Sequence, residues 1–304
     1  MTAPSLPPLP PRSATETIDG AVQLIRPHFG YFLRIAAVGA IPALLGSIAS
    51  LLMNRVPVTD PTALLRQQTQ GLPLLMALLA YVFAALQSGA IVTGSLAVLR
   101  GDPLPTVWAA FLSALRRLHA IIGVYLLLIV MLSIAMIPIF LVAAGVAMVA
   151  GSSLVPAAGS SSGSMVTGAV FIILILLFFA FVGFTLFAQW VLMTTLVVIE
   201  RVGPFDALRR AQALSKGNYG LLAKTYGLVM VIMMVIVSVM VFFALSFRDQ
   251  QQLVQSIFSV IFIPIAPIVG SIGLVTYADL RIRREGADLD AALDALGTTP
   301  VLQG

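Results

Sequence analysis

Six long apolar runs constrain the fold of this chain more than any other feature of its sequence. They cover approximately residues 33–53, 72–99, 119–149, 166–199, 219–246 and 253–277. A helix needs about 20 residues to cross the hydrocarbon core of a bilayer, so each run is long enough for one crossing. Only 10% of the 304 residues are charged, whereas an average soluble domain has about 25%. The sequence therefore predicts an all-α polytopic integral membrane protein with six transmembrane helices.

The Lys and Arg residues lie almost entirely on one side of these predicted crossings. Of the 17, only Arg55, Arg66 and Arg248 fall in segments of the other side. Because Lys and Arg concentrate in the cytoplasmic loops of membrane proteins, we predict that both termini are cytoplasmic. Most of the basic residues flank apolar runs, and this placement predicts membrane lipids with anionic headgroups as partners rather than nucleic acid.

The chain divides into three parts by composition. Residues 1–14 are rich in proline, which predicts a disordered cytoplasmic tail. Residues 15–285 contain the six crossings and form the predicted membrane domain. In residues 286–304 the leucines recur on one helical face, which predicts a cytoplasmic amphipathic tail.

A short pattern recurs before the first, third and fifth crossings. The stretch "AVQLIRPHFGYF" at 21–32 aligns with "AQALSKGNYGLL" at 211–222, and "LSALRRLHAII" at 112–122 fits the same alignment. The copies are 91 and 99 residues apart. We interpret them as three repeats, each a cytoplasmic amphipathic helix followed by two transmembrane helices. Leucine and alanine in such a helix enter the membrane interface, while its basic residue reaches the phosphates.

The basic residues of these helices, and those that follow the last crossing, are the candidate site. The segment "GPFDALRRAQALSKGN" at 203–218 has the clearest amphipathic pattern, with Pro204 suited to its start and Gly217 to its end. The predicted contacts with lipid headgroups are Arg26, Arg117, Arg209, Arg210, Lys216, Arg281, Arg283 and Arg284.

Acidic residues alternate with arginines where the last crossing ends. Asp279 lies four residues before Arg283, and Arg281 lies four before Glu285, so each pair can bond along one helix. An anionic membrane surface would repel the acids, so anchoring alone does not explain them. We predict that Asp279 and Glu285 form a cytoplasmic salt-bridge lock with neighbouring basic residues.

Polar residues inside the crossings are few. No charged residue lies in the middle of an apolar run, and the interior candidates are Gln87 and Gln189. A buried amide can hydrogen-bond between two helices, and it can also line a substrate site. We expect the packing role, and the sequence leaves the substrate role open.

The sequence offers no chemistry typical of a catalyst. It has no cysteine, and its two histidines, His28 and His119, lie at the predicted cytoplasmic boundary without neighbouring metal ligands. No Ser-His-acid set and no phosphate-binding loop can be assembled. We therefore expect no catalytic residues, no metal, no cofactor and no enzymatic activity.

Two stretches resemble one known family. "VVIERVGPFDALRRAQALSKGNYG" at 197–220 has an acidic residue, Glu200, before an Ala-Leu-Arg-Arg helix, and "YADLRIRREGADLD" at 277–290 follows the last crossing. Both are similar to signatures of the glycerophosphoryl diester phosphodiesterase membrane-domain family. "TIDGAVQLIRPHFGYF" at 17–32 is also similar. The resemblance implies the six-helix membrane part of that family, without the separate soluble barrel in which some members carry the phosphodiesterase.

Three functions remain compatible with these patterns. The first is a non-enzymatic protein of the bacterial cytoplasmic membrane that interacts with lipids, or organises the membrane, through its basic amphipathic helices. The second is a transporter or flippase for a lipid or another amphiphile. The third is a membrane subunit accessory to a separately encoded lipid enzyme, in which case a protein is the partner.

Overall fold

The structure is a computed structural model that describes residues 13–53, 72–149, 185–247 and 251–286. Five helices of these ranges are long and apolar enough to cross a membrane, and a bent helix pair is the sixth candidate. No strand occurs in the described ranges. The predicted class, an all-α polytopic membrane protein, is therefore confirmed.

The helix boundaries follow the apolar runs closely. In chain order the helices are α1 (Ala14–Ile25), α2 (Phe29–Met53), α3 (Leu72–Arg100), α4 (Val107–Leu115), α5 (Leu118–Val149), α6 (Thr185–Ile199), α7 (Pro204–Ser215), α8 (Tyr219–Ser246), α9 (Gln251–Phe262) and α10 (Ile265–Glu285). The fourth predicted crossing is described only from Thr185 onward. The predictions for residues 1–12, for 150–184 and for the tail after Gly286 lie outside the described residues.

Proline divides the sixth predicted crossing into α9 and α10. Pro264 has no amide hydrogen, so the helical hydrogen bonds are interrupted there, and the N–H of Ile263 bonds to the carbonyl of Val260 in a tighter turn. Beyond the break, α10 continues past the apolar run to Glu285. It ends at Gly286 in a left-handed conformation with φ 61°, which glycine adopts without steric cost.

Local sequence signals mark where the short helices begin. The Ser13 hydroxyl accepts from the N–H of Glu16, and the Glu16 carboxylate accepts from the N–H of Ser13, which forms a capping box for α1. The Thr106 hydroxyl accepts from Ala109 at the start of α4. Pro204 is the first residue of α7, as predicted. The capping side chains of α1 and α4, and Pro204 in the uncapped α7, explain why helices of 9 to 12 residues begin at these places.

Two of the three predicted units share their boundaries. Helices α1 and α7 are 12 residues long, and their limits are 190 positions apart, 14 to 204 and 25 to 215. The first residues of α2 and α8, at 29 and 219, keep the same separation. The middle unit departs from this spacing, because α4 has nine residues and α5 begins at Leu118. The repeat stays a prediction, which the shared limits favour.

The short helices pack in a cyclic order. Helix α4 lies against α3 and α2, which precede it in the chain, and α7 lies against α5. Helix α1 packs against α8, α10 and α3, and α7 also contacts α10. In terms of the three predicted units, α4 and α7 each contact the unit before their own, and α1 contacts the last one. The starts of α2, α5 and α8 and the ends of α3, α6 and α10 consequently meet at one end of the bundle, called here the basic end.

The core is concentrated towards the basic end. Phe32 on α2, Ile91 on α3, Leu196 on α6 and Leu274 on α10 are almost completely buried in one continuous cluster. In contrast, α8 has no buried residue among its described side chains from 231 to 246. Apolar side chains exposed at membrane depth suit contact with lipid chains. Tight packing thus holds the basic end in place, where the candidate site lies.

Candidate functional site

The surface of the basic end is strongly asymmetric in charge. The exposed basic residues of the described ranges are Arg26, Arg34, Arg100, Arg116, Arg201, Arg209, Lys216, Lys224, Arg283 and Arg284. The exposed acidic residues of the same ranges are Glu16, Asp19, Asp102 and Asp206. Two further acids, Glu200 and Asp279, are turned inward. The outward charge at this end is therefore positive.

Glu200 joins three helices beneath this surface. Its Oε2 accepts from Nε of Arg210 on α7 at 3.1 Å, and its Oε1 accepts from the Tyr277 hydroxyl on α10 at 2.8 Å. The Glu200 side chain is only 10% exposed, and Tyr277 is fully buried. A charge-assisted pair with a second donor suits a carboxylate withdrawn from water. This Glu200–Arg210–Tyr277 network fixes the ends of α6 and α10 to α7.

The corner between α6 and α7 sets the geometry of this network. The chain bends by 117° between the two helices, and Arg201 at the corner has φ 58°, the only positive φ of a non-glycine residue in the described part of the chain. A residue with a side chain in that conformation costs about 1–2 kcal/mol. The turn brings α7 back under the bundle, so that Arg210 reaches Glu200, the last residue before the corner.

A second ion pair lies within α10. Nε of Arg283 donates to Oδ2 of Asp279 at 2.8 Å, and the Asp279 side chain is 2% exposed. This is the pairing along the helix that the sequence predicted for Asp279. The side chain of Glu285, the other member of the predicted lock, lies outside the described residues.

The eight predicted headgroup residues separate into three groups. Arg26, Arg209, Lys216 and Arg284 are exposed, and Arg117 and Arg281 are half-buried. Arg210 and Arg283 take part in the ion pairs with Glu200 and Asp279. The structure therefore gives Arg210 an acidic partner on the neighbouring helix that the amphipathic pattern did not indicate. The amphipathic pattern of α7 treats Arg209 and Arg210 alike. The bend at Arg201 separates them, because it brings Arg210 to Glu200 and leaves Arg209 exposed.

The two interior amides have different surroundings. Gln87 on α3 packs so closely on α2 that a Cβ on Gly39 would overlap its side chain, which agrees with the packing role. Gln189 on α6 has a buried carboxamide oxygen for which the described residues supply no hydrogen-bond partner. The structure thus assigns a packing contact to Gln87 and leaves a polar atom of Gln189 unsatisfied.

The described residues contain no cluster of three His, Asp or Glu side chains that could hold a metal ion. His28 and His119 are both exposed, the first in the short turn between α1 and α2 and the second on α5. What the arrangement at this end offers chemically is binding of anions by guanidinium and ammonium groups.

No family model, no curated protein and no solved structure matches this chain. The resemblance to the phosphodiesterase membrane-domain family therefore stays a prediction. The two stretches that carry it meet in the structure, since Glu200 and Arg210 belong to one and Tyr277 to the other. An acidic residue directly before a basic amphipathic helix is the sequence signal for Glu200, and nothing in the sequence indicates that Tyr277 is its partner.

Proposed function

We propose that this chain is a non-enzymatic protein of the bacterial cytoplasmic membrane that binds anionic lipid headgroups at its basic end. One observation carries the proposal. At that end the exposed charges are mostly Lys and Arg, whereas Glu200 and Asp279 are paired inside the bundle. The protein would organise the lipids around it, with both termini in the cytoplasm, where anionic headgroups attract basic segments.

The position of the acids strengthens the attraction of the basic end to an anionic surface. A Lys or Arg near an anionic surface contributes about 1 kcal/mol to membrane attraction. An exposed carboxylate beside it would cancel part of that attraction. Glu200 and Asp279 stay out of this balance because Arg210 and Arg283 neutralise them. The Glu200–Arg210 pair also joins α7 to the end of α6, so the exposed Arg209 and Lys216 are presented on a fixed helix rather than on a loose tail.

Lipid preference in nanodiscs tests this proposal. Arg209→Gln with Lys216→Gln removes two exposed charges that take part in no ion pair shown at the site. We expect enrichment of phosphatidylglycerol around the protein to fall by about tenfold, as two lost charges of about 1 kcal/mol each allow after screening by salt. The melting temperature in detergent should stay within a few degrees of the wild type.

Arg210→Gln is the matched comparison on the same helix. It should lower the melting temperature, because it breaks the pair with Glu200, and it should change lipid preference less than the double variant. Unchanged enrichment of phosphatidylglycerol in the Arg209→Gln, Lys216→Gln variant would show that the basic end does not select anionic lipids.

Transport of an amphiphile is the second candidate, and Gln189 favours it. A buried amide oxygen without a partner in the described residues suits a site that a cargo occupies. Reconstituted vesicles with a fluorescent phospholipid would measure its movement between leaflets. Transport predicts movement above that of empty vesicles, reduced by Gln189→Leu and unaffected by the equivalent change at Gln87, which is a packing residue. Movement equal to that of empty vesicles would contradict it.

A further inference from the structure

The outward face of α4 differs from those of the other two short helices. Burial aligns the three helices, and the residues that they turn into the bundle at matching positions are Thr17 and Ala21 on α1, Ala110 and Ala114 on α4, and Ala207 and Ala211 on α7. Thr17 and Ala110 are 93 positions apart, two more than the 91 of the sequence alignment. The exposed residues that then correspond are Thr15, Asp19 and Val22 on α1, Trp108, Leu112 and Leu115 on α4, and Phe205, Arg209 and Gln212 on α7. Only the set on α4 consists entirely of large apolar and aromatic side chains.

Trp108, Leu112 and Leu115 form one exposed stripe, called here the α4 stripe. Their spacing of four and three residues places them on one face of the helix, and they are 70%, 39% and 49% exposed. No residue from 107 to 115 is charged. The hydroxyl of Ser113 on this helix is turned to that of Thr93 on α3, at 3.1 Å. Single exposed apolar side chains are ordinary, but a contiguous stripe of large ones marks a contact surface.

The position of α4 along α3 indicates what covers the stripe. A Cβ on Gly89 of α3 would lie 2.9 Å from Cβ of Ala114, so the end of α4 packs directly on Gly89. Gly89 lies 11 residues before Arg100, the last residue of α3, which is about 16 Å along the helix axis. Counted from Leu72 at the other end of α3, the roughly 20 residues that cross the hydrocarbon core end near Ile91. Ala114 therefore lies at about the depth where acyl chains meet headgroups.

The charges around α4 suit the same level of the membrane. Arg100 precedes the helix and Arg116 and Arg117 follow it, while the nearby exposed acid is Asp102, so the flanking charge is positive. Arginines beside an apolar helix face reach lipid phosphates while that face enters the chains. Tryptophan, with an apolar ring and one N–H, is common at this boundary. A partner helix would favour small residues at the contact, and Trp108 does not provide that. These features favour lipid over protein as the occupant.

We propose that the α4 stripe inserts into the leaflet at the basic end, with Leu112 and Leu115 among the upper acyl chains and Trp108 nearer the headgroups. Helices α1 and α7, with Asp19 and Arg209 at the corresponding positions, turn their outward faces to water. Contact with acyl chains does not require headgroup charge, so this inference is independent of the proposed binding of anionic lipids. The middle unit thereby differs in role from the first and the last.

Spin labels at matched positions test the proposal in the full chain. Because the chain has no cysteine, single labels can be attached at Leu112→Cys and Leu115→Cys, with Asp19→Cys and Gln212→Cys as controls at corresponding positions of α1 and α7. The protein is reconstituted in vesicles of phosphatidylcholine and phosphatidylglycerol. Molecular oxygen, which concentrates among acyl chains, and a water-soluble nickel chelate then compete to relax each label. We expect the ratio of oxygen to nickel accessibility to be severalfold higher at 112 and 115 than at 19 and 212.

The native tryptophan provides a second measurement without a label on the stripe. Trp190 packs against Tyr125 and Phe187 inside the bundle, and Trp190→Phe keeps an aromatic ring there and leaves Trp108 as the single fluorophore. Phosphatidylcholine brominated near the top of its chains should quench Trp108 more strongly than lipid brominated near the chain ends. Aqueous iodide should quench Trp108 less than it quenches free tryptophan.

Three results would overturn the proposal. Equal accessibility ratios at 112 and 212 would mean that the α4 stripe faces water, as α7 does. Labels at 112 and 115 that neither oxygen nor nickel reaches would mean that protein covers the stripe, from a second copy or from another segment of this chain. Strong quenching of Trp108 by iodide, with no effect of either brominated lipid, would place it outside the bilayer.

Discussion

Among single residues, Glu200 has the largest structural role at the basic end, because its carboxylate accepts from both α7 and α10. Glu200→Gln leaves the Arg210 guanidinium, 34% exposed, without its counter-charge. We expect a loss of about 2 kcal/mol in stability, less than for a fully buried pair because water reaches Arg210. Tyr277→Phe should cost about 1 kcal/mol.

Thermal unfolding in detergent measures both changes. Asp206→Asn is the control, since Asp206 is an exposed acid of the same α7 and its loss should be almost silent. Double substitution of Glu200 and Arg210 by glutamine should cost less than the sum of the single changes. Additive effects would mean that the two side chains do not interact.

Charge reversal tests the lock at the end of α10. Asp279 is buried and paired with Arg283 four residues on, so Asp279→Lys places two positive charges together and should lower the melting temperature by several degrees. Exchange of the two residues, Asp279→Arg with Arg283→Asp, should restore part of the loss. Glu285→Lys should also destabilise if the predicted lock includes it. If neither Asp279→Lys nor Glu285→Lys changes the melting temperature, the motif serves only as a topological anchor.

Among the elements, the contact between α6 and α10 depends on a glycine. A Cβ on Gly273 would lie 2.5 Å from Cγ1 of Val191 and 3.3 Å from its carbonyl oxygen, so α6 approaches closely only because that Cβ is missing. We expect Gly273→Ala to destabilise by about 1–3 kcal/mol through overpacking.

Gly227→Ala on α8 is the control for this element. No atom lies within 4 Å of its added Cβ, and alanine favours helix over glycine by about 1 kcal/mol. Unfolding of both variants in the same detergent gives the comparison. Equal effects of the two changes would show that α6 and α10 do not pack closely at Gly273.

Orientation in the membrane is a property of the whole molecule, and it can be tested by chemical labelling. Because the chain has no cysteine, single cysteines can be introduced cleanly at Asp102, in the connection after α3, and at Phe247, just beyond α8. Both positions are exposed. The distribution of Lys and Arg predicts that a membrane-impermeant thiol reagent labels Asp102→Cys from the cytoplasmic side and Phe247→Cys from the opposite side. Labelling from one side only would contradict the alternating topology.

Local physics explains what the sequence by itself determined. The length and apolarity of each run specify a crossing, because a bilayer leaves no backbone polar group unpaired and only a helix satisfies all of them within one segment. The start of α7 at Pro204, the break at Pro264 and the pairing of Asp279 with Arg283 also depend on neighbours within a few residues. Such features can be predicted without knowing how the helices pack.

Only the tertiary structure decided which helix faces which, and the Glu200–Arg210–Tyr277 network depends on that. Glu200 and Tyr277 are 77 residues apart and form one hydrogen bond. Inside a bilayer lipid chains are as apolar as leucine, so the hydrophobic pattern of a crossing does not show which of its faces meets protein. Close contacts such as that between Gly273 and Val191 determine which face packs against protein. They depend on shape complementarity between segments distant in the chain.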